Sequence, residues 1–184
     1  MEQSGSFAEL LGLVVADDEQ VFQHETLQYH PEPAAVSDLH FEVMLKGKAE
    51  SAHNGFVHIE KKAQQSDAKQ LIKNLLLSRK AKAESIPNLE ILADDVKCAH
   101  GVSLGPVSPE ELFYLESRGF DKEQAENFII EGNIERVINK LEANIEEQDN
   151  DDEIVSEEEF FEEKINLAHR VRDFVLKNLK SGVK

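Results

Sequence analysis

Residues 10 to about 105 contain many short strand-like runs, and in VFQHETLQYH and DLHFEVMLKGKAE hydrophobic and polar residues alternate with the period of two that side chains have in β-strands. In the stretch DLHFEVML, for example, Leu39, Phe41 and Val43 share one face of a predicted strand. Turn-forming residues interrupt these runs repeatedly, and Asn54-Gly55 is one predicted turn. Short strands with frequent turns predict an all-β sandwich, barrel or solenoid, and the pattern alone does not choose among the three.

The pattern changes from strand to helix at Ser108. This serine precedes a proline and two glutamates, which predicts the N-cap of a helix that Gly119 ends. A second predicted helix begins at Asp121 and ends at Gly132, and a third covers Ile134 to Leu141. We therefore expect a segment of three short helices after the strands.

Acidic residues are concentrated near the C-terminus. The chain has 20 Lys and Arg against 37 Asp and Glu, and Glu142–Glu163 holds 12 acids with no Lys or Arg. Such a run predicts a solvated tether, and an acidic protein repels phosphate backbones, so nucleic acid is not an expected partner. Beyond the tether, apolar residues recur at helical spacing and predict an amphipathic helix. The predicted domains are a β portion (1–107), a helical segment (108–141), an acidic linker (142–160) and the amphipathic C-terminal helix (161–184).

The sequence also limits the cellular compartment. It holds no apolar run near the roughly 20 residues that span a bilayer, so we expect no membrane association. The N-terminal residues lack the basic and apolar regions of a secretory signal. A single cysteine fits a reducing compartment. We therefore expect a cytoplasmic protein, with an organelle as the alternative.

Cys98 and His100 form the clearest pair of chemically active side chains. They alternate in ADDVKCAHG, so in a strand both point the same way, and a thiolate beside an imidazole can bind zinc or iron. Structural zinc needs four ligands, so the others would come from a partner or from the distant His24, His53 or His58. From spacing alone, a structural Cys and His is favoured, and a metal-dependent enzyme using this pair is an alternative.

Two other chemistries find little support. No phosphate-binding loop of the G-x-x-x-x-G-K-[ST] type is present, so we expect the chain to bind no nucleotide. Gly101 to Gly105 matches the G-x-S-x-G pattern of hydrolases, but two prolines follow and the first helix cap is Ser108. A turn with two glycines is the favoured interpretation of that stretch.

The helical segment has a resemblance of its own. SRGFDKEQAENFIIEGNIERVINKLE resembles a ubiquitin-associated domain, in which a G-F loop precedes an EQA-like helix and a G-N-I-E-x-V helix. This resemblance implies a ubiquitin-binding module as an alternative function.

A longer series of motifs extends over about residues 8 to 140. The motifs are Asn54-Gly55, Gln65 to Ala68, Asn74 to Ser78, Pro87 to Ile91, Ala93 to Cys98, His100-Gly101, Leu112 to Leu115 and Ser117 to Gly119. In these motifs and their spacing, the chain closely resembles the SufB/SufD family of iron–sulfur cluster assembly proteins. The small-residue turn after C-x-H-G fits the SufD branch better than SufB.

The resemblance implies a fold and a function. The family fold is a right-handed parallel β-helix followed by a C-terminal helical region, which selects the solenoid among the three β architectures. Family members pair SufB with SufD and bind a SufC-type ABC ATPase. The resemblance therefore implies a non-catalytic scaffold subunit whose partners are a SufB-like subunit and a SufC-like ATPase.

The same resemblance implies site residues. Cys98 and His100 would lie at the junction with the SufB-like subunit and contact a transient iron–sulfur cluster that the partner shares, and His100 is the stronger candidate. Docking of the ATPase would fall on the helical segment. The candidate docking residues are Leu112, Phe113, Leu115, Arg118 and Phe120.

Overall fold

The computed structural model describes residues 3–148 and Arg170, with side chains described up to Leu141. The predicted C-terminal helix, apart from Arg170, and most of the predicted acidic linker lie outside the described residues. Contacts divide the chain into two compact units, with the boundary between Val107 and Ser108. Each unit is described by itself below.

The first unit consists of seven strands of ten residues each. Odd-numbered strands form one sheet in the order β1-β3-β5-β7, and even-numbered strands form a second sheet in the order β2-β4-β6. Every neighbouring pair is parallel. The strands are β1 (Phe7–Ala16), β2 (Val21–His30), β3 (Val36–Leu45), β4 (Glu50–Ile59), β5 (Asp67–Leu76), β6 (Lys82–Ile91) and β7 (Lys97–Pro106).

Successive strands of one sheet repeat about every 30 residues. Phe7, Val36, Asp67 and Lys97 occupy equivalent register positions on β1, β3, β5 and β7. Each coil of chain adds one strand to each sheet, which is the architecture of a parallel β-helix of about three turns. The predicted partial β-helix followed by helices is therefore confirmed.

Alternate residues of each strand point into the β-helix and form its core. In β3 and β5, for example, Leu39, Val43 and Ile72 are fully buried. Apolar side chains from different coils pack together in clusters along this interior. The period-two pattern of the sequence thus corresponds to an inner and an outer face, as expected for strands with one buried face.

Two glycine-containing stretches lie within strands rather than in the predicted turns. Asn54-Gly55 belongs to β4, which is paired on both sides with β2 and β6. Gly55 faces the interior, where a Cβ would lie 2.3 Å from Nε2 of Gln70, so this glycine serves a close approach of a side chain. Gly101 to Gly105 belongs to β7, so the two-glycine turn predicted there is also wrong. The absence of a strand–turn–helix elbow at that stretch leaves no support for a hydrolase nucleophile.

The second unit begins with helix α1 (Pro109–Ser117), followed by helix α2 (Lys122–Gln148). The Ser108 hydroxyl accepts a hydrogen bond from the backbone N–H of Glu111 at 3.4 Å, as its sequence predicts. Asp121 and Gln124 exchange hydrogen bonds of 2.8 and 3.0 Å, which is a capping box at the start of α2.

Helix α2 does not end at Gly132, so the third short helix predicted over Ile134–Leu141 is part of α2. The helix also includes the first seven residues of the predicted acidic linker, since it continues to Gln148. A glycine within a helix costs about 1 kcal/mol. Burial of Ile130, Ile134 and Ile138 along one helical stripe outweighs that cost. The three-helix arrangement behind the ubiquitin-associated alternative is therefore absent from the described residues. Among these residues, no helix is long and apolar enough to cross a membrane.

Candidate functional site

The β-helix has an open end formed by β6 and β7. Within the described residues, β6 and β7 are the last strands of their sheets, so each has one edge without a neighbouring strand. The register identifies the inner face of β7, because its residues pair with buried residues of β5. Cys98 pairs with Ala68 and His100 pairs with Gln70. We use the name open end for the inner residues of these two strands, which include Ser85, Leu89, Ile91, Cys98, His100, Val102 and Leu104.

The open end exposes apolar side chains that a further coil would bury. Leu104 is 54% exposed and Val102 is 41% exposed, although both continue rows of inner residues that are buried on β5. Leu89 and Ile91 of β6 are exposed in the same way. Unpaired strand edges beside apolar side chains are a template for pairing with another chain.

Cys98 and His100 occupy alternate inner positions at this end. Cys98 is half-buried and packs against an apolar cluster that includes Ala68 and Ala93, whereas His100 is exposed. Burial raises the pKa of the Cys98 thiol, and the negative charge of Asp67 raises that pKa further. Cys98 is therefore a protonated thiol at neutral pH in this chain, and a metal bound there would have to displace the proton.

The distant histidines do not complete a metal site around this pair. His24 and His53 are inner residues of β2 and β4, and the ring of His58 is hydrogen-bonded to Glu60 and Glu90. Among the described residues, no group of three or more His, Cys, Asp or Glu side chains could hold a metal ion. The geometry of the described residues therefore gives no support to a self-sufficient metal enzyme that uses Cys98 and His100.

Polar side chains of β5 lie directly below the open end. The Asn74 amide donates to Ser85 Oγ at 3.1 Å and to the Ser103 carbonyl at 3.2 Å, which ties β5 to β6 and β7. Gln70 is the second inner polar residue of β5, and it is buried. Sequence analysis missed both residues as parts of the site, because their position depends on the register between strands about 30 residues apart.

The helical unit exposes several aromatic side chains. Phe113 is 72% exposed, and the Arg118 guanidinium lies 5.0 Å from the centre of the Tyr114 ring. The rings of Phe120 and Phe128 are 5.5 Å apart, and both are exposed. Of the other predicted docking residues, Leu112 and Leu115 are half-buried. Tyr114 and Phe128 extend the predicted set, and their aromatic character is the signal that could have identified them. We call this the aromatic surface.

Known proteins are similar in sequence to a large part of this chain. Residues 1–133 match the family model described as the SufBD core domain of the SUF system for FeS cluster assembly. The chain is 37% identical over 145 residues to an iron–sulfur cluster assembly SufBD family protein of Mycobacterium leprae, covering 74% of this chain and 37% of the relative. It is 36% identical over 137 residues to the iron–sulfur cluster assembly protein SufD of Bacillus subtilis, covering 74% of this chain and 31% of that protein.

The similarity to SufD of Escherichia coli is 37% identity over 87 residues, which is 47% of this chain and 21% of that protein. The chain therefore spans about a third or less of the length of these relatives. The matched family model includes β1 to β7, α1 and the first part of α2.

Proposed function

Because the chain belongs to the SufB/SufD family of iron–sulfur cluster assembly proteins, we propose that it is a SufD-like scaffold subunit. Its partners are a SufB-like subunit and a SufC-like ABC ATPase. The observation that carries this proposal is the open end, where the candidate cluster ligands of β7 lie beside exposed apolar side chains of β6 and β7. The single cysteine is consistent with a reducing compartment such as the cytoplasm.

Pairing with the SufB-like subunit takes place at the open end. Among the described residues, β6 and β7 each have one edge without a neighbouring strand, and another β-helix would continue the two sheets there. Val102 and Leu104 would be buried by that contact, which gives the association its hydrophobic contribution. The partner thus supplies the strand pairing and the apolar contacts that a further coil would supply in a longer β-helix.

The iron–sulfur cluster is the cargo assembled at that junction. His100 offers an exposed imidazole nitrogen, and Cys98 offers a thiol on the same inner face. Sulfur and imidazole are ligand types that iron–sulfur clusters accept. Cys98 and His100 can supply two ligands at most, so the remaining ligands come from the SufB-like subunit.

The role is that of a scaffold rather than a catalyst. The chain has no phosphate-binding loop, so the SufC-like partner performs ATP hydrolysis. Docking of that partner falls on the aromatic surface, where Phe113 and Phe128 are exposed apolar anchors and Arg118 adds a positive charge.

Co-expression with a SufB-like subunit and a SufC-like ATPase from one source tests the proposal. We expect a stable complex of all three chains by native mass spectrometry. Leu104→Glu at the open end should yield a complex that lacks the SufB-like subunit and retains the ATPase. Phe113→Ala should instead weaken binding of the ATPase. Ile86→Glu is the matched control, because Ile86 is exposed on the outer face of β6. The proposal fails if the wild-type chain stays alone, or if Leu104→Glu and Ile86→Glu behave alike.

A further inference from the structure

The two chain segments that flank β6 carry opposite charges. Arg79 and Lys80 lie between β5 and β6, and Asp94 and Asp95 lie between β6 and β7. All four residues are exposed. Since β6 is one of the two edge strands of the open end, both segments lie at the rim of that end. We call Arg79-Lys80 the basic corner and Asp94-Asp95 the acidic corner.

Ion pairs connect neighbouring coils at three other places near the strand ends. The two members of each pair are about 30 residues apart in the sequence, which is the length of one coil. The pairs are Lys48–Glu19, Lys62–Glu32 and Lys82–Glu50. The distance from Nζ to Oε1 is 2.5 Å in the first pair and 2.6 Å in the last. In all three pairs the opposite charge comes from the neighbouring coil.

The basic and acidic corners have no such match. Among the described residues, none of their four side chains forms an ion pair. The described chain adds no further coil beside them, because β6 and β7 are the last strands of their sheets. A coil that continues the sheets would lie about 4.8 Å away, which is within reach of charged side chains. A partner at the open end is therefore in a position to supply the opposite charges.

The two corners are far enough apart to act independently. Strand β6 has ten residues, and a strand rises about 3.3 Å per residue, so about 30 Å separates its two ends. Charges are screened over about 8 Å at physiological ionic strength. The corners therefore do not cancel each other. A docking chain meets positive charge at one end of β6 and negative charge at the other.

We infer that the two corners orient the SufB-like subunit at the open end. The end coil of that subunit carries acidic side chains opposite the basic corner and basic side chains opposite the acidic corner. In the reversed orientation like charges meet at both corners, which disfavours it. The exposed apolar side chains of the open end add affinity, but hydrophobic contact is non-directional and does not select an orientation. This inference rests on the proposed function, since it takes the open end as the contact with the SufB-like subunit.

The first test measures the Kd of the SufB-like subunit for the full chain by titration calorimetry. At 100 mM NaCl we expect Arg79→Gln/Lys80→Gln and Asp94→Asn/Asp95→Asn each to raise the Kd at least fivefold. At 500 mM NaCl, where charges are more strongly screened, the increase should shrink to less than twofold. Loss of an uncharged contact would not depend on salt in this way.

Gln20→Glu/Gln23→Glu is the matched control for the basic corner. It changes the net charge by the same −2, but both glutamines are exposed at the first coil, away from the open end. We expect a Kd within twofold of wild type. The corner variants should fold, because they replace exposed side chains that make no ion pair among the described residues. If a double variant does not fold, the single Lys80→Gln and Asp95→Asn variants should each raise the Kd at least twofold at 100 mM NaCl.

The second test reports on orientation. A photo-reactive benzoylphenylalanine replaces Leu92, which is exposed beside the acidic corner. Mass spectrometry should find one cross-linked region of the SufB-like subunit with wild-type corners. With both corners neutralised, a second cross-linked region should appear, from the opposite end of the partner's end coil. A single, unchanged region in both proteins overturns the orienting role.

The outcomes separate this inference from the proposed function. If the wild-type chain does not bind the SufB-like subunit, both are wrong. If the wild-type chain binds it, Leu104→Glu prevents binding and both corner variants bind like wild type, only the inference is wrong. If the corner variants separate a dimer of this chain in native mass spectrometry and leave the Kd for the SufB-like subunit unchanged, a second copy occupies the corners and the inference is wrong.

Discussion

His24 and His53 are register partners on β2 and β4, and their rings lie inside the β-helix with centroids 6.0 Å apart. Thr26 Oγ1 is 3.0 Å from His53 Nε2, and the Phe41 ring meets the His53 ring edge-on at 4.5 Å. Burial, and after it the charge of the neighbouring His24, lower the pKa of His53 to about 4. The interior therefore holds His53 as a neutral imidazole.

The buried His53 predicts that the protein loses stability in mild acid. Histidine in the unfolded chain has a pKa near 6.5, so the unfolded state binds more protons between pH 6.5 and 4. The contribution of His53 is fully present above pH 6.5 and is lost as the pH falls towards 4. At pH 5.0 we expect the free energy of unfolding to be lower by about 2 kcal/mol than at pH 7.5.

Urea unfolding at the two pH values measures this difference. His53→Leu should show a smaller difference between pH 7.5 and 5.0 than the wild-type chain. A remainder is expected from His30, because burial also lowers the pKa of His30. Equal free energies of unfolding at both pH values in the wild-type chain would contradict the neutral interior.

The corners of the β-helix give a second prediction, at Gly47. This residue has a φ of +59°, and a Cβ there would lie 2.7 Å from the backbone nitrogen of Asp18 in the preceding coil. Gly47→Ala therefore combines an unfavourable left-handed conformation with a clash against backbone. We expect it to lower the free energy of unfolding by about 2 kcal/mol or more.

Gly105→Ala is the matched control for that substitution. A Cβ on Gly105 would meet no atom within 4 Å, and its φ is not positive. The free energy of unfolding of the Gly105→Ala variant should stay within about 0.5 kcal/mol of the wild-type value. Urea unfolding measures the free energy of unfolding of both variants. If both variants lose the same amount, the close packing at Gly47 does not explain the effect of Gly47→Ala.

Cys98 gives a third prediction, on reactivity. Because burial and then Asp67 raise the pKa of Cys98, its thiolate fraction at pH 7.5 should be lower than that of a free thiol. We expect iodoacetamide to alkylate Cys98 more slowly than glutathione, and Asp67→Asn to accelerate the reaction roughly two- to fivefold.

Asp94→Asn serves as the control for that charge change, since Asp94 is exposed and does not contribute to the raised pKa of Cys98. Mass spectrometry of the alkylated chain over time gives the rates. A Cys98 that reacts as fast as glutathione, or equal rates for the two variants, would contradict the environment described for the thiol.

Local pattern predicted the strands, but not how they stack. Alternation along β3 identifies Leu39 and Val43 as one face, and the structure confirms that face as the inner one. The stacking of Ser37, Ala68 and Cys98 in one row depends on register between coils, which no local pattern contains. Only the family resemblance selected the β-helix from the sequence.

The wrong predictions share a physical cause. Local conformational preference predicts a turn at Asn54-Gly55 and a helix end at Gly132. In both cases tertiary packing decides the structure instead. Gly55 accommodates the Gln70 side chain within a paired strand, and Gly132 lies in a helix that buried isoleucines stabilise. The role of Cys98 and His100 as cluster ligands stays a prediction.

The most direct test of the central claim is the cluster content of the three-chain complex. Iron and acid-labile sulfide should be measured in complexes that contain wild-type chain, His100→Ala or His58→Ala. His58 is the control histidine, because its ring is bound to Glu60 and Glu90 rather than placed at the open end. We expect His100→Ala to lose most of the cluster and His58→Ala to retain it. Equal cluster content in all three complexes would contradict the assignment of the open end as the assembly site.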